Sequence, residues 1–294
     1  MKTALYIYNP VSGKGKAGDE LSTAIEVLAA NRYRTIVRPT LPGQGPEKII
    51  ASELGNFDIV ICAGGDGTLN HTINGLMAQD IKSREIAYFP AGSINDFAHS
   101  VGINKGIRVN ALAAATAQPF FYDIGKFGDR YFNYAAGFGY FTSLSYTAPQ
   151  ELKNIIGHSA YYLEAFRHIP IGEKYHAKIT LADRVIEDDF ALCIIANSFR
   201  VAGFSVLEKD NVELDDGIFE MLLIKAPKGP ADMQKILGAL ITQDFDGPYI
   251  HLIKMSQAHF EFEDEIPWVL DGEYGGTPRS VFVSVVPKAI GIRK

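Results

Sequence analysis

The chain has 294 residues, longer than a typical single domain, so two domains with separate cores are the starting expectation. Hydrophobic residues make up 47% and charged residues 21%, close to globular averages, which excludes a disordered or fibrous chain. The formal net charge of -6 lacks the basic excess that nucleic-acid binders carry, so no nucleic acid is expected and any anionic partner must be met locally.

The N-terminal segment MKTALYIYNP has no small-residue cleavage site and reads as a first strand. Up to about residue 120, the runs TALYIYN, RTIVRPT, DIVICAG and EIAYFPA alternate with segments of helical period, the order expected of a parallel α/β sheet. One predicted helix runs from about Asp19 to Ala30; another follows Asp66, where Leu69, Ile73, Leu76 and Met77 form one apolar face. From about Tyr131 the pattern changes to long strand-like runs, including RYFNYAAGFGYF, YHAKITLADRVIEDDFALCIIANS, GIFEMLLIK, YIHLIKMSQAHFEFEDE and SVFVSVV, as expected of a mostly antiparallel β domain. Two stretches of helical period, ELKNIIGHSAYYLEAFRHI and ADMQKILGALI, interrupt it and are expected to pack against the sheet. No run approaches the length of about 18 apolar residues that a bilayer span requires. Cys62 and Cys193 each lie in an apolar run, DIVICAG and FALCIIA, and read as buried thiols. No disulfide framework is suggested, so a cytoplasmic location is expected.

Five segments carry candidate chemistry. In NPVSGKGKAG, Gly13, Gly15 and Gly18 fit the letter of the dinucleotide fingerprint G-x-G-x-x-G. That fold expects an acidic residue at the end of the second strand, where this chain has Arg38, Pro39 and Thr40. A phosphate-binding loop supported by Lys14 and Lys16 explains the same residues better, although the Walker spacing is absent. In FDIVICAGGDGTLNHTINGL, a buried strand delivers Gly64 and Gly65 into a tight turn, and a helix beginning near Gly67 and Thr68 points free N–H groups at whatever sits in front. Asp66 would repel a bare polyphosphate there unless it holds Mg²⁺ directly or through water; the alternative is a helix cap.

EIAYFPAGSINDFAHSVGI repeats the strand, turn and helix design, with Ser93, Asn95 and Asp96 able to line the same crevice or to act as caps. FFYDIGKF places Asp123 at the end of another strand-like stretch, where taken alone it reads as an ordinary turn residue. In IPWVLDGEYGG, Asp271 and Glu273 occupy a turn between glycines. Asp-Gly is a favoured hairpin pair, and Asp271 is also placed to serve as a general base for a hydroxyl attacking a γ-phosphate.

With these segments in view, the chain resembles the diacylglycerol kinase catalytic family, soluble bacterial lipid kinases related to sphingosine and ceramide kinases. The resemblance runs in order through NPVSGKG, GGDGTLN, PAGSINDFA, YDIGKFGDRYFNYAAGFG, LDDGIFEMLLI and LDGE. GGDGT alone is shared with NAD kinases and phosphofructokinases; the ordered set is specific. The resemblance implies ATP bound by Asn9, Thr40, Gly64, Gly65, Asp66, Gly67, Thr68 and Ser93, with Asn95 beside them. It also implies a water-linked Mg²⁺ network through Asp66, Asp96 and Asp123, with Asp271 as base and Glu273 next to it. A second, structural Mg²⁺ would take the Glu213 carbonyl, the Asp216 side chain and the Ile218 carbonyl, although Asp215-Asp216-Gly217 also reads as a simple turn.

The implied fold is an α/β nucleotide-binding domain over 1–124, with a Rossmann- or phosphofructokinase-like parallel sheet, and a β-sandwich lipid domain over 125–279. A final strand, 280–294, would return to the first domain. The implied reaction is transfer of the γ-phosphate of Mg-ATP to diacylglycerol, giving phosphatidic acid, at the cytoplasmic face of the membrane as a peripheral enzyme. Another lipid acceptor such as phosphatidylglycerol or a sphingoid base, or a soluble acceptor as in NAD kinases, stays open at this point. A homodimer is among the oligomeric states the sequence allows. Two positions depart from the family pattern. His71 stands where Glu is usual, which removes a carboxylate from the helix, and Ser93 stands where Thr is usual, which keeps the hydroxyl.

Overall fold

The structure, a computed structural model, describes residues 1–12, 20–53, 55–79, 81, 83–93, 95–103, 106–140, 172–197, 200–201, 204–205, 213–242, 245 and 247–294. The Gly- and Lys-rich loop at 13–19 and the predicted helix at 151–169 lie outside the described residues. The chain divides into two compact units. The first comprises Met1–Ile124, Arg130–Asn133 and Val286–Lys294; the second comprises Gly125–Asp129 and Tyr134–Val285.

The first unit alternates strands and helices: β1 Lys2–Tyr8, α1 Leu21–Ala30, β2 Tyr33–Pro39, α2 Pro46–Glu53, β3 Ile59–Gly64, α3 Asp66–Met77, β4 Glu85–Pro90, α4 Asp96–Val101 and α5 Ile107–Thr116. Strand β5 Phe120–Phe127 leaves the unit, and the short β6 Arg130–Phe132 belongs to it. Strands β1 to β4 pair in parallel in the order β2-β1-β3-β4. Every residue of β3, IVICAG, is buried, the continuous apolar run of a parallel strand covered on both faces. On one face Ala24 and Leu28 of α1 and Ala111 and Ala114 of α5 pack against Tyr6, Ile59, Ile61 and Phe89. In α3, Leu69, Ile73 and Leu76 are buried, and Thr72 Oγ1 donates to Cys62 Sγ on β3 at 3.4 Å.

The second unit contains β7 Ala135–Gly139, β8 Tyr175–Thr180, β9 Val185–Ala196, the small pair β10 Arg200–Val201 and β11 Phe204–Ser205, and β12 Phe219–Lys225. It continues with α6 Pro230–Thr242, β13 Ile250–Met255, β14 Gln257–Phe262, β15 Trp268–Leu270 and β16 Glu273–Gly276. Strand pairing in this unit is antiparallel. The long β9 pairs with β8 through its first half and with β7 and β12 through its second. Phe138, Phe260, Phe262 and Trp268 meet at its centre, with ring centroids 4.9 Å apart for Phe138–Trp268 and 5.1 Å for Phe260–Trp268. Helix α6 buries Met233 and Ile236 against Leu222, Ile224 and Ile250.

The last strand, β17 Ser280–Ile292, serves both units in turn. Ser280–Ser284 pair with β14, while Gly291 and Ile292 pair in parallel with Glu85 and Ile86 of β4. Both cysteines are free and buried, and burial pushes the Cys62 thiol up to about 12. Among the described residues no helix is long and apolar enough to cross a membrane.

Candidate active site

In the first unit the chain runs from β1 outward to β2, then returns past β1 to β3, so the strand order reverses between β1 and β3. In open α/β sheets that reversal opens a crevice at the carboxyl ends of the strands. Asn9 sits there: its N–H donates to the Ala63 carbonyl at 3.0 Å and its Oδ1 accepts from the Val11 N–H at 3.1 Å. Thr40 follows β2 and is fixed by a bond from its N–H to the Tyr8 carbonyl at 2.8 Å. Ser93, after β4, is exposed.

The glycines that follow β3 and β4 are required by close packing. A Cβ on Gly64 would lie 2.6 Å from Thr68 Oγ1, because the Thr68 side chain folds back over it. A Cβ on Gly92 would lie 2.6 Å from Gly65 Cα, so the two turns meet backbone to backbone. The Ala91 N–H donating to the Gly64 carbonyl at 2.8 Å joins them further. Gly65 is the N-cap of α3 and leaves its first N–H groups without a side-chain cap.

Asp66, in the first turn of α3, does not cap its own helix. Its Oδ2 accepts from the Asp96 backbone N–H at 3.0 Å, and the Phe97 N–H also reaches it, so it serves the start of α4. Asn95 adopts a left-handed φ of 56° and folds back on Gly92: its Oδ1 accepts the Gly92 N–H at 2.9 Å and its Nδ2 donates to the Gly92 carbonyl at 2.7 Å. The Tyr88 hydroxyl donates to Asn95 Oδ1 at 3.1 Å and lies 3.5 Å from Asp66 Oδ1. Burial, reinforced by the Asp96 carboxylate, pushes Asp66 up from 3.8 to about 6. Sequence reasoning missed Tyr88, which looked like one more apolar position of β4. Only its hydroxyl, in an otherwise aliphatic and aromatic run, signalled a polar role.

Asp123 corrects the sequence expectation. It lies in the middle of β5 rather than at a turn, is fully buried, and its Oδ1 accepts from the Lys288 N–H at 2.7 Å. Lys288 holds a left-handed φ of 48°, so this carboxylate supports a kink in β17. His71 is exposed and contacts the Glu47 carboxylate of α2. On the next face of α3, Asn74 Nδ2 donates to the Tyr131 carbonyl at 2.9 Å and its Oδ1 accepts the Tyr131 N–H at 2.9 Å, clamping β6 to the helix.

In the second unit Asp271 and Gly272 form a two-residue hairpin loop between β15 and β16, with φ of 51° and 86° as a type I′ turn requires. Asp271 is 3% exposed, and its Oδ1 accepts from the Tyr134 N–H at 2.9 Å and the Ala135 N–H at 3.0 Å. Glu273 is exposed. The 213–218 segment is a turn in which Asp216 Oδ1 accepts the Ile218 N–H at 2.9 Å. Two residues on, burial pushes Glu220 up to about 7, against the pull of Lys254 and with the repulsion of Asp216.

The structure therefore gathers Asp66, Asn95 and Asp96 into one polar cluster with Tyr88, and places Asn9 and Thr40 at the ends of neighbouring strands. Paired carboxylates beside an open helix N-terminus suit a phosphate carrying a hard cation.

Comparison with known proteins gives a consistent result. A family model described as the diacylglycerol kinase catalytic domain matches residues 3–127. A diacylglycerol kinase of Bacillus subtilis is 30% identical over 289 residues, covering 97% of this chain and 94% of that protein. One from Staphylococcus saprophyticus is 32% identical over 282 residues, covering 94% and 90%. The solved structure of a candidate diacylglycerol kinase from Bacillus anthracis is similar with a TM-score of 0.82 and 25% identity, covering 99% of this chain and 95% of that one.

Proposed function

This chain belongs to the diacylglycerol kinase catalytic family, and we propose that it transfers the γ-phosphoryl group of Mg-ATP to the free hydroxyl of diacylglycerol, giving phosphatidic acid. The observation that carries the reading is the meeting of Asp66 and Asp96 in front of α3, where burial and then the Asp96 carboxylate disfavour ionisation of Asp66. Such a pair fits a cation. Among the described residues no group of three His, Cys, Asp or Glu side chains could enclose a metal. Mg²⁺ does not require such a cage, since it keeps several waters and is held by one or two carboxylates plus substrate phosphates.

In this reading Asn9, Thr40, the Gly64, Gly65, Asp66, Gly67 and Thr68 turn, Ser93 and Asn95 hold the nucleotide. Asp66, Asp96 and Asp123 orient the water-linked cation. Mg²⁺ supplies neutralisation of the charge that develops on the transferred group. The acceptor oxygen forms a bond to the γ-phosphorus as the bond to the β-phosphate oxygen breaks and ADP leaves. Asp271 takes the hydroxyl proton, with Glu273 beside it. A second cation belongs to the Glu213, Asp216 and Ile218 turn and has a structural role. Because the acceptor carries acyl chains, the enzyme works at a membrane surface, and we place it on the cytoplasmic face, where ATP is found.

The test is a mixed-micelle assay with γ-labelled ATP against a lipid panel. Label in phosphatidic acid, dependent on Mg²⁺, is the expected result. Label only in phosphatidylglycerol or sphingoid products would change the acceptor, and label moving to NAD and to no lipid would overturn the lipid assignment.

A further inference from the structure

Glu220 is the second residue of β12, just after the 213–218 turn, and it is 5% exposed. Its Oε2 has no hydrogen-bond partner. Its cross-strand neighbours are Ala196 on β9, a methyl group, and Lys254 on β13, which is exposed to solvent. A buried carboxylate in that condition is costly, and proteins resolve the cost by pairing the charge or coordinating a metal. The turn that Asp216 closes onto Ile218 ends immediately before the strand, two residues ahead of Glu220. One Asp216 oxygen already accepts the Ile218 N–H, and the Leu214 carbonyl accepts from Asn197 Nδ2 at 3.3 Å. A turn with a carboxylate and backbone carbonyls, followed by a second carboxylate with one buried oxygen lacking a hydrogen-bond partner, is the oxygen donor set that hard divalent cations take.

We propose that Glu220 is the second carboxylate of a divalent-cation site at the 213–218 turn, binding through Oε2, directly or through one water, a Mg²⁺ also held by Asp216 and the carbonyls of Glu213 and Ile218. The proposal rests on the reading of that turn as a cation site, and adds a ligand from the strand. The cation balances both carboxylates and ties the turn to the first residues of β12.

The experiment follows thermal unfolding of the EDTA-stripped full chain, with and without magnesium chloride and in the absence of nucleotide, using the fluorescence of the single Trp268. Mg²⁺ is expected to raise the Tm of the unsubstituted protein. Glu220→Gln removes the buried charge, so its metal-free Tm is expected to equal or exceed that of the parent, while the Mg²⁺ concentration for half the shift rises about 10–100-fold. Glu220→Leu provides the same comparison if the amide folds poorly. A Tm lowered equally with and without Mg²⁺ would show a purely structural Glu220 and overturn the proposal. If Asp216→Asn abolishes the Mg²⁺ response and both Glu220 variants keep it, Glu220 is no ligand although the turn is a cation site. If Asp216→Asn also keeps the response, or the parent shows none, the turn itself does not bind the cation and both readings fall.

Discussion

The Asp66 carboxylate at the start of α3 accepts the Asp96 backbone N–H at 3.0 Å, so one acidic side chain joins the turns that follow β3 and β4. The two residues are separated by a whole helix and strand, yet the carboxylate of one settles the first turn of the other's helix.

Asp66 has a raised affinity for its proton in the folded state, about 6 against 3.8. The fold therefore loses stability as pH rises from about 4 to about 6, where the unfolded chain ionises first, and the loss is complete above that range. Two units correspond to about 3 kcal/mol. In metal-free buffer, Asp66→Asn is expected to match the parent near pH 4 and to exceed it at neutral pH by up to about 3 kcal/mol, measured by denaturant unfolding. With Mg-ATP the same variant is expected to lose about 10²-fold in turnover, because the cation is misplaced.

Gly92→Ala places a methyl 2.6 Å from Gly65 Cα and 2.8 Å from Asn95 Oδ1. Backbone cannot give way as a flexible side chain does, so a cost of about 1–3 kcal/mol and weakened ATP binding are expected together. Gly43→Ala, at a φ of 76° with nothing within 4 Å, is the control. It should show only the cost of a left-handed backbone, about 1–2 kcal/mol, with ATP binding intact. Tm and nucleotide titration distinguish the two.

Asp271 has an observed role in holding the Tyr134 and Ala135 N–H groups and a proposed one as base, and different substitutions separate them. Asp271→Asn keeps an oxygen for the Tyr134 and Ala135 N–H groups and tolerates the left-handed φ, so the fold should persist. As a lost general base it should reduce turnover about 10²–10⁴-fold, with the KM for ATP unchanged. Asp271→Ala should show the same kinetic loss together with about 1–3 kcal/mol of destabilisation from unsatisfied N–H groups. Near-normal turnover of the Asn variant would remove Asp271 from the role of base.

For Asp123, the Lys288 N–H bond requires an oxygen, whereas the proposed role toward a cation requires a charge. Asp123→Asn is expected to keep the parent Tm while raising the Mg²⁺ requirement for turnover about 10–100-fold. Asp123→Ala should in addition cost about 1–3 kcal/mol. Equal Mg²⁺ dependence of the Asn variant and the parent would leave Asp123 as a support for β17 alone.

His71 illustrates a departure whose local surroundings were hidden in the sequence. Read along the chain, it is a missing carboxylate in the helix of GGDGTLN. In the fold it is an exposed residue on α3 that contacts Glu47 of α2, so a carboxylate stands beside that position from another helix.

The order of elements was legible in the sequence because hydrophobic period is a local property. TALYIYN, DIVICAG and EIAYFPA became β1, β3 and β4, and Leu69, Ile73 and Leu76 marked the buried face of α3. The glycines of Gly64-Gly65-Asp66 also announced a tight turn, since few other residues permit one. What the sequence could not determine is where side chains remote along the chain meet. Tyr88 reaching Asn95, Asp66 serving α4, Asp123 supporting Lys288, and Glu220 buried beside an acidic turn all depend on strand order and on how closely two turns pack. Those contacts are set by tertiary geometry: hydrogen bonds act over about 3 Å, and only the folded chain brings such residues within that reach.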